Sequence, residues 1–180
     1  MANTTQTITL GGGCFWCTEA VFVNVKGIDD VEAGYCNGHT AQPSYPQVCT
    51  GTTGYNEVVK LVFDPAIISM REVLEIFFLI HDPTTLNRQG NDSGTQYRSG
   101  IYWSNPEHAK VAVTLISEMQ AGGEYPRPIV TEVQQLSNYW PAEDYHQDFF
   151  EKNPQQAYCV AVAGPKVKKF RNTFGRLVKA

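Results

Sequence analysis

Thr5-Gln6-Thr7-Ile8-Thr9-Leu10 runs into Gly11-Gly12-Gly13, and then into Cys14-Phe15-Trp16-Cys17-Thr18-Glu19. Threonines at 7 and 9 alternate with Ile8 and Leu10, the period of a short strand, and the glycine triplet ends it. Cys14 to Asn24 reads as a helix, so Cys14 stands at a strand-to-helix turn. Three readings of such a cysteine compete: a metal knuckle, a dithiol pair with Cys17, and a single nucleophile beside an apolar pocket. Structural zinc needs two ligand pairs, and only Cys14 and Cys17 form one; Cys36 and Cys49 are far apart and His39 has no close histidine partner. The redox and nucleophile readings share a physical basis. Glycines let the chain bend sharply, and a thiol at the first helical turn faces unpaired N–H groups and the positive end of the dipole, which favours thiolate. A merely packed cysteine is the commoner fate, yet three preceding glycines would then cost chain entropy for no packing gain.

Outward from that turn, Ile28 to Tyr35 and Asn56 to Phe63 read as strands, separated by a Gly-, Pro- and Thr-rich loop from Asn37 to Gly54. Ser69 to His81 is an amphipathic helix with Met70, Val73, Leu74, Phe77 and Ile80 at helical spacing. A second polar loop, Asp82 to Ser99, precedes the strand Gly100 to Trp103. Asn105-Pro106 starts a helix that runs to about Met119, with a cap residue followed by proline at the first helical position. Ile129 to Leu136 reads as a strand and Ala142 to Lys152 as a helix. From Gly164 the tail is basic, with Pro165-Lys166-Val167-Lys168-Lys169-Phe170-Arg171 read as a solvated helix face. The pattern is a mixed α+β domain with two long loops, where function is usually placed.

The chain has 180 residues, 42% of them hydrophobic, which suits one domain spanning 1–180. A net charge of -4, from 14 basic and 18 acidic residues, gives no electrostatic case for nucleic acid or an anionic membrane. The start MANTTQTITLGGG lacks the basic and apolar features of a secretory signal, and no run is long and apolar enough to span a bilayer. The expectation is a soluble, cytoplasmic protein. Its five cysteines are then matters of catalysis, metal or packing rather than a disulfide framework.

Gly13-Cys14-Phe15-Trp16 resembles the signature of the A-type peptide methionine sulfoxide reductases, enzymes that repair one sulfoxide epimer. The resemblance continues at Gly34-Tyr35, Pro43-Ser44-Tyr45, Val48-Cys49-Thr50-Gly51, Thr53-Gly54 with Glu57-Val58-Val59, and Phe63-Asp64-Pro65. It resumes at His81-Asp82-Pro83-Thr84, Asn87-Arg88-Gln89-Gly90 with Asp92, Gly94-Thr95-Gln96-Tyr97-Arg98-Ser99, and Ala142-Glu143-Asp144-Tyr145-His146-Gln147. These blocks run in order from about residue 8 to residue 160. The resemblance implies a ferredoxin-like α+β core of mixed sheet and helices with long active-site loops and a C-terminal extension. It also implies reduction of methionine S-sulfoxide, free or in proteins, without metal or organic cofactor.

Carried onto matching positions, the resemblance makes Cys14 the nucleophile, which would be left as a sulfenic acid. Glu57 matches the family's acid. In its strand it shares a face with Val59, Leu61 and Phe63, so its carboxyl ends an apolar face where desolvation would keep it protonated near neutral pH. Tyr35 and Tyr97 match two hydroxyl donors to the sulfoxide oxygen. Phe15 and Trp16 would wall the pocket for the substrate methyl group, and Asp92 matches an aspartate on the substrate's polar side. His146 lies in a shared block and is read as a structural hydrogen bonder. Two blocks depart from the common pattern: many members have Gly-His-Ala-Glu where this chain has Gly54-Tyr55-Asn56-Glu57, and Gly-Tyr-x-Gly-Gly where it has Gly34-Tyr35-Cys36-Asn37-Gly38. No glycine-rich tail with a further cysteine follows Cys159. Tyr158-Cys159, after Asn153-Pro154 in a segment able to swing, resembles a resolving site of some members, so Cys159 is the expected resolving thiol, with Cys17 as the alternative, Cys36 and Cys49 as outside candidates and thioredoxin as reductant.

Overall fold

The computed structural model describes residues 4–180; Met1 to Asn3, part of the N-terminal stretch read for a signal, lie outside the described residues. In chain order the elements are β1 (Gln6–Gly11), α1 (Phe15–Phe22), β2 (Ile28–Cys36), α2 (Tyr45–Cys49), β3 (Asn56–Phe63) and α3 (Met70–Leu79). The two-residue strands β4 (Arg88–Gln89) and β5 (Asp92–Ser93) follow, then β6 (Gly100–Trp103), α4 (Pro106–Ala121), β7 (Glu132–Gln135), β8 (Trp140–Pro141), α5 (Phe149–Lys152) and α6 (Gly164–Thr173).

The main sheet has the order β7-β6-β1-β3-β2-β8. Its inner four strands, with α1 and α3, make a β-α-β-β-α-β unit in which every neighbouring pair is antiparallel, the split arrangement of ferredoxin-like folds. At one edge β7 adds parallel to β6, and at the other β8 adds antiparallel to β2. The expected α+β class with a mixed sheet holds. Register fixes the faces: Leu10 pairs with Val59, Val59 with Ala33, and Glu57 with Tyr35. Because side chains alternate, Glu57 and Tyr35 share the face of Ile8, Leu10, Val59 and Leu61, which belong with Phe15, Phe22, Val73 and Phe77 of α1 and α3 to the main core. The opposite face carries a smaller buried cluster of Cys36, Val58 and Tyr102.

Local signals placed most helices. Ser69 accepts the Glu72 N–H while Glu72 reaches back to the Ser69 N–H, a capping box that starts α3. Asn105 caps α4 with Pro106 at its first position. The loop from Asn37 to Gly54 also holds α2, started by a second capping box between Ser44 and Gln47.

Three expectations need correction. The strand expected over Ile129 to Leu136 is limited to β7. The helix expected over Ala142 to Lys152 is a 3-10 turn at Asp144–His146, an extended Gln147, a left-handed Asp148 (φ 55°) and then α5. The Gln147 amide bonds the N–H and C=O of Ala33 on β2 and the C=O of Ala142, and these contacts hold the chain out of a helix. The basic tail is a half-buried helix: α6 buries Val167 and Phe170 while Lys168, Lys169 and Arg171 face solvent.

Candidate active site

The glycine triplet delivers Cys14 to the start of α1. Gly13 has φ +96°, where a side chain is strained, and a Cβ there would stand 2.7 Å from the Gln89 side chain. Gly11 allows Asn56 to approach, since a Cβ would fall 2.4 Å from its amide. Cys14 takes the N-cap position, and its carbonyl accepts the Cys17 N–H at 3.1 Å. Its thiol is 7% exposed. Burial pushes its pKa well above the ordinary value, and the negative charges of Glu57, Cys17 and Asp92 act in the same direction, against a hydrogen bond from the Trp16 backbone. The helix start alone therefore does not make a thiolate: at rest Cys14 is a thiol.

Glu57 enters from the sheet beneath. It is 1% exposed, and one carboxyl oxygen accepts the Phe15 N–H at 3.3 Å. The other oxygen is buried and unpartnered. Burial, reinforced by Asp92 and opposed by the Phe15 hydrogen bond, raises the pKa to about 8. At neutral pH this carboxyl is mostly protonated and has a proton to give, as its position on the apolar face implied.

The walls come from several elements. The Tyr35 ring lies 5.7 Å from that of Phe15, and its hydroxyl donates to Glu143 at 2.8 Å. The other Glu143 oxygen accepts the Tyr45 N–H at 2.9 Å, so one carboxylate braces both tyrosines. Burial opposes the charge on Glu143, but these hydrogen bonds outweigh it and leave its pKa lowered. Tyr97, at the end of a 3-10 turn (Thr95–Tyr97), is half-buried; burial and then the charges of Glu57 and Cys14 raise its pKa. The Trp16 indole N–H donates to His146 Nδ1 at 3.0 Å, and the ring stacks on Phe149 at 3.7 Å and 4°. His146 is thus the hydrogen bonder it was read as, packed also against Phe15 and Tyr45.

The remaining thiols divide sharply. Cys17 is buried behind Cys14 and donates to the Tyr158 hydroxyl at 3.6 Å; Tyr158 in turn donates to Asp92 at 2.5 Å. Burial raises the Cys17 pKa, against Lys166 and Tyr158, and a charge on Cys159 adds to the rise. Cys159 is 0% exposed, in a π-helical turn (Cys159–Ala163) packed on α1. The expected free, swinging segment is here a docked one. Cys36 belongs to the opposite face of the sheet, and Cys49 is exposed at the end of α2, near Tyr45. All five cysteines are free thiols. Among the described residues no group of three His, Cys, Asp or Glu could hold a metal ion.

Cys14, Phe15, Trp16, Cys17, Tyr35, Glu57, Asp92 and Tyr97 therefore converge, while Cys159 lies one layer back. Sequence reasoning missed Glu143, Tyr45, Phe149 and Tyr158 as parts of the site. Glu143 lay in a quoted block, and its misreading followed from treating that block as a regular helix.

Residues 6–177 match the family described as Peptide methionine sulfoxide reductase. The chain is 50% identical over 175 residues to the peptide methionine sulfoxide reductase MsrA of Polynucleobacter asymbioticus, covering 97% of this chain and 92% of that protein. It is 53% identical over 174 residues to MsrA of Saccharolobus solfataricus, covering 97% of each. The crystal structure of reduced Mxr1 from Saccharomyces cerevisiae superposes with a TM-score of 0.79 at 37% identity, over 86% of this chain and 89% of that one. Mxr1 in complex with Trx2 has the same fold, at a TM-score of 0.56 and 24% identity over 83% and 87% of the two chains. A converging cysteine, buried acid and aromatic wall, matched over nearly the whole chain, establish that it belongs to the peptide methionine sulfoxide reductase family, oxidoreductases of the A type.

Proposed function

We propose that the protein reduces the S epimer of methionine sulfoxide, free or in proteins, with Cys14 as nucleophile and Glu57 as acid. The observation that carries the reading is the protonated, half-partnered Glu57 carboxyl, held by the backbone of the residue after Cys14. The Cys14 sulfur attacks the sulfoxide sulfur. As the S–S bond forms, Glu57 protonates the oxygen and the S–O bond breaks; the released hydroxyl then bonds to the Cys14 sulfur as the S–S bond breaks, so methionine leaves and Cys14 is left as sulfenic acid. The thiol proton of Cys14 restores Glu57, so the step balances as thiol plus sulfoxide giving sulfenic acid plus thioether. Because Cys14 rests as a thiol, its deprotonation is coupled to substrate binding rather than completed beforehand.

Tyr97 orients the sulfoxide oxygen through its hydroxyl, and Tyr35 joins it when its hydroxyl turns from Glu143 to the substrate. Phe15 and Trp16 enclose the methyl group, an apolar contact that rejects polar side chains. Asp92 receives the polar backbone of the substrate. Cys159 then condenses with the sulfenic acid, releasing water and giving a disulfide that a thioredoxin-type dithiol reduces. The alternative, Cys17, is supported by its electrostatic contact with Cys14 on one side and Cys159 on the other. No helix among the described residues is long and apolar enough to cross a membrane, and a reducing cytoplasm suits free thiols.

The test is incubation with both sulfoxide epimers and a dithiol. The S epimer should disappear and the R epimer persist, and Cys14→Ser should abolish the loss while keeping the fold. Turnover by Cys14→Ser, or consumption of the R epimer alone, would reject the reading.

A further inference from the structure

Glu19 lies on α1 two residues beyond Cys17, and nothing in the proposed chemistry uses it. It is 2% exposed. One carboxyl oxygen accepts the Phe149 N–H at 3.3 Å, and the other is buried without a partner. Phe149 opens α5, which has no side-chain cap of its own: Asp148 before it is left-handed, with φ 55° and ψ 34°. Such a conformation persists in an aspartate only where its surroundings hold it. Two side chains do so from opposite sides. Gln147 pins the chain to β2, and Glu19 pins the following amide to α1.

The pinned residue matters because its ring lies flat on Trp16, while the indole N–H on that ring's edge is held by His146. The Trp16 ring is thus fixed by a stack and a hydrogen bond from one short segment, and Glu19 is the group that ties the stacking half of it to the helix bearing Trp16. We propose that Glu19 is a positioning residue for the substrate pocket, fixing the Phe149 ring on which Trp16 rests and so the wall that receives the sulfoxide methyl group. This rests on the reading that Trp16 lines that pocket. The hydrogen bond of Glu19 goes to Phe149, while that of Glu57 goes to Phe15 beside Cys14, so Glu19 shapes binding and leaves the chemical step alone.

Kinetics with a methionine sulfoxide peptide separate this from a plain packing role. Glu19→Ala should raise KM about tenfold with kcat within about twofold, the signature of lost uniform binding. Glu19→Gln keeps an oxygen for the Phe149 N–H and should restore KM to within about threefold of wild type. Phe149→Ala should match Glu19→Ala, and the double variant should be no worse than either, because both break one linkage. Independently of turnover, the Trp16 indole N–H proton resonance of the substrate-free protein should shift in Glu19→Ala and Phe149→Ala and stay in place in Glu19→Gln. That readout survives even if the proposed chemistry fails. If Glu19→Ala does not fold, Glu19→Met, which keeps the volume and removes the acceptor, carries the same expectations. Additive losses, a fall in kcat at constant KM, or an unmoved indole resonance would overturn the assignment.

Discussion

α1 has a buried glutamate at its start, Glu57 reaching in from β3, and another in its middle, its own Glu19. Glu57 and Glu19 each place one oxygen 3.3 Å from a backbone N–H and leave the other buried and unpartnered. Burial raises both pKa values, to about 8 for Glu57 and about 7 for Glu19. Their neighbours differ. Glu57 faces Cys14, Tyr97 and Asp92, groups of a pocket, whereas Glu19 faces Asp148, Phe149 and Lys152, groups of a structural tie. Burial alone makes a carboxyl hold its proton; what stands within reach of that proton decides whether it serves chemistry or architecture.

The comparison is broken most directly by neutral amides at each position. Glu57→Gln should slow the first, single-turnover reduction by about 10²- to 10⁴-fold, the usual worth of a positioned general acid. Glu57→Asp should lose less, since it keeps a transferable proton. Glu19→Gln should leave the same step close to wild type. Comparable losses at the two positions, in rapid-quench measurements, would mean that Glu57 is also only a tie. The wild-type single-turnover rate should fall as pH rises through about 8, because the acid must be protonated, and that limb should be absent in Glu57→Gln.

Stability offers a second separation. The folded Glu57 carboxyl titrates near 8, above the ordinary value of 4.5, so between those values the folded state holds a proton that the unfolded chain has lost. Its contribution is therefore fully present below about pH 4.5, declines as pH rises, and is gone above about 8. For so buried a group the swing is on the order of 5 kcal/mol. Urea unfolding from pH 5 to 9 should show wild-type stability falling, and Glu57→Gln should flatten most of that slope. Glu19→Gln should flatten a smaller part, ending near pH 7. A wild-type profile without slope would show that neither carboxyl is held protonated.

Cys159 carries the recycling chemistry in this reading. Cys159→Ser should leave the first turnover intact and cut steady-state turnover with thioredoxin at least tenfold, on the order expected when a resolving thiol is lost. Peptide mapping after one turnover without reductant should find Cys14 joined to Cys159. A Cys14 to Cys17 disulfide, with Cys159→Ser still recycling, would assign the resolving role to Cys17.

The Glu57 side and the Glu19 side of α1 also differ in how much of them the sequence showed. The Glu57 side was legible because its signals are local: alternation in β1, a glycine triplet, and the period of β3 that puts Glu57 on an apolar face. The βα turn needed no distant partner to be seen, while Glu57 was singled out as the acid by the family resemblance, the strand period only placing it on the apolar face. The Glu19 side was legible only in its residue types. Phe149, Tyr158 and Cys159 reach α1 from well over a hundred residues away, and the helix expected over Ala142 to Lys152 was overridden by one side chain, Gln147, bonding the edge of β2. Nothing in the local pattern announces that bond. Ser44-Tyr45-Pro46-Gln47 is the opposite case, since the capping box of α2 is written in four residues and was passed over inside a loop.

That box supports the smallest expected effect, on the Glu57 side of the comparison. Ser44 accepts the Gln47 N–H, and Gln47 returns the bond to the Ser44 N–H at 2.9 Å, fixing the start of α2. The next residue, Tyr45, gives its N–H to Glu143 and lays its ring on His146, so the cap is the outermost brace of the wall that holds Tyr35. The cap bond is long, 3.4 Å, and lies at the surface, which limits what it contributes. Ser44→Ala should therefore cost about 1 kcal/mol of stability, and Ser44→Gly only a few tenths, because glycine adopts the cap conformation without the hydroxyl. Activity should fall less than twofold in either, roughly the loss expected if the Glu143 bonds alone suffice to place Tyr35. A tenfold loss in Ser44→Ala at unchanged stability would show that the pocket is placed through α2, and that the Glu57 side of α1 depends on distant ties as much as the Glu19 side does.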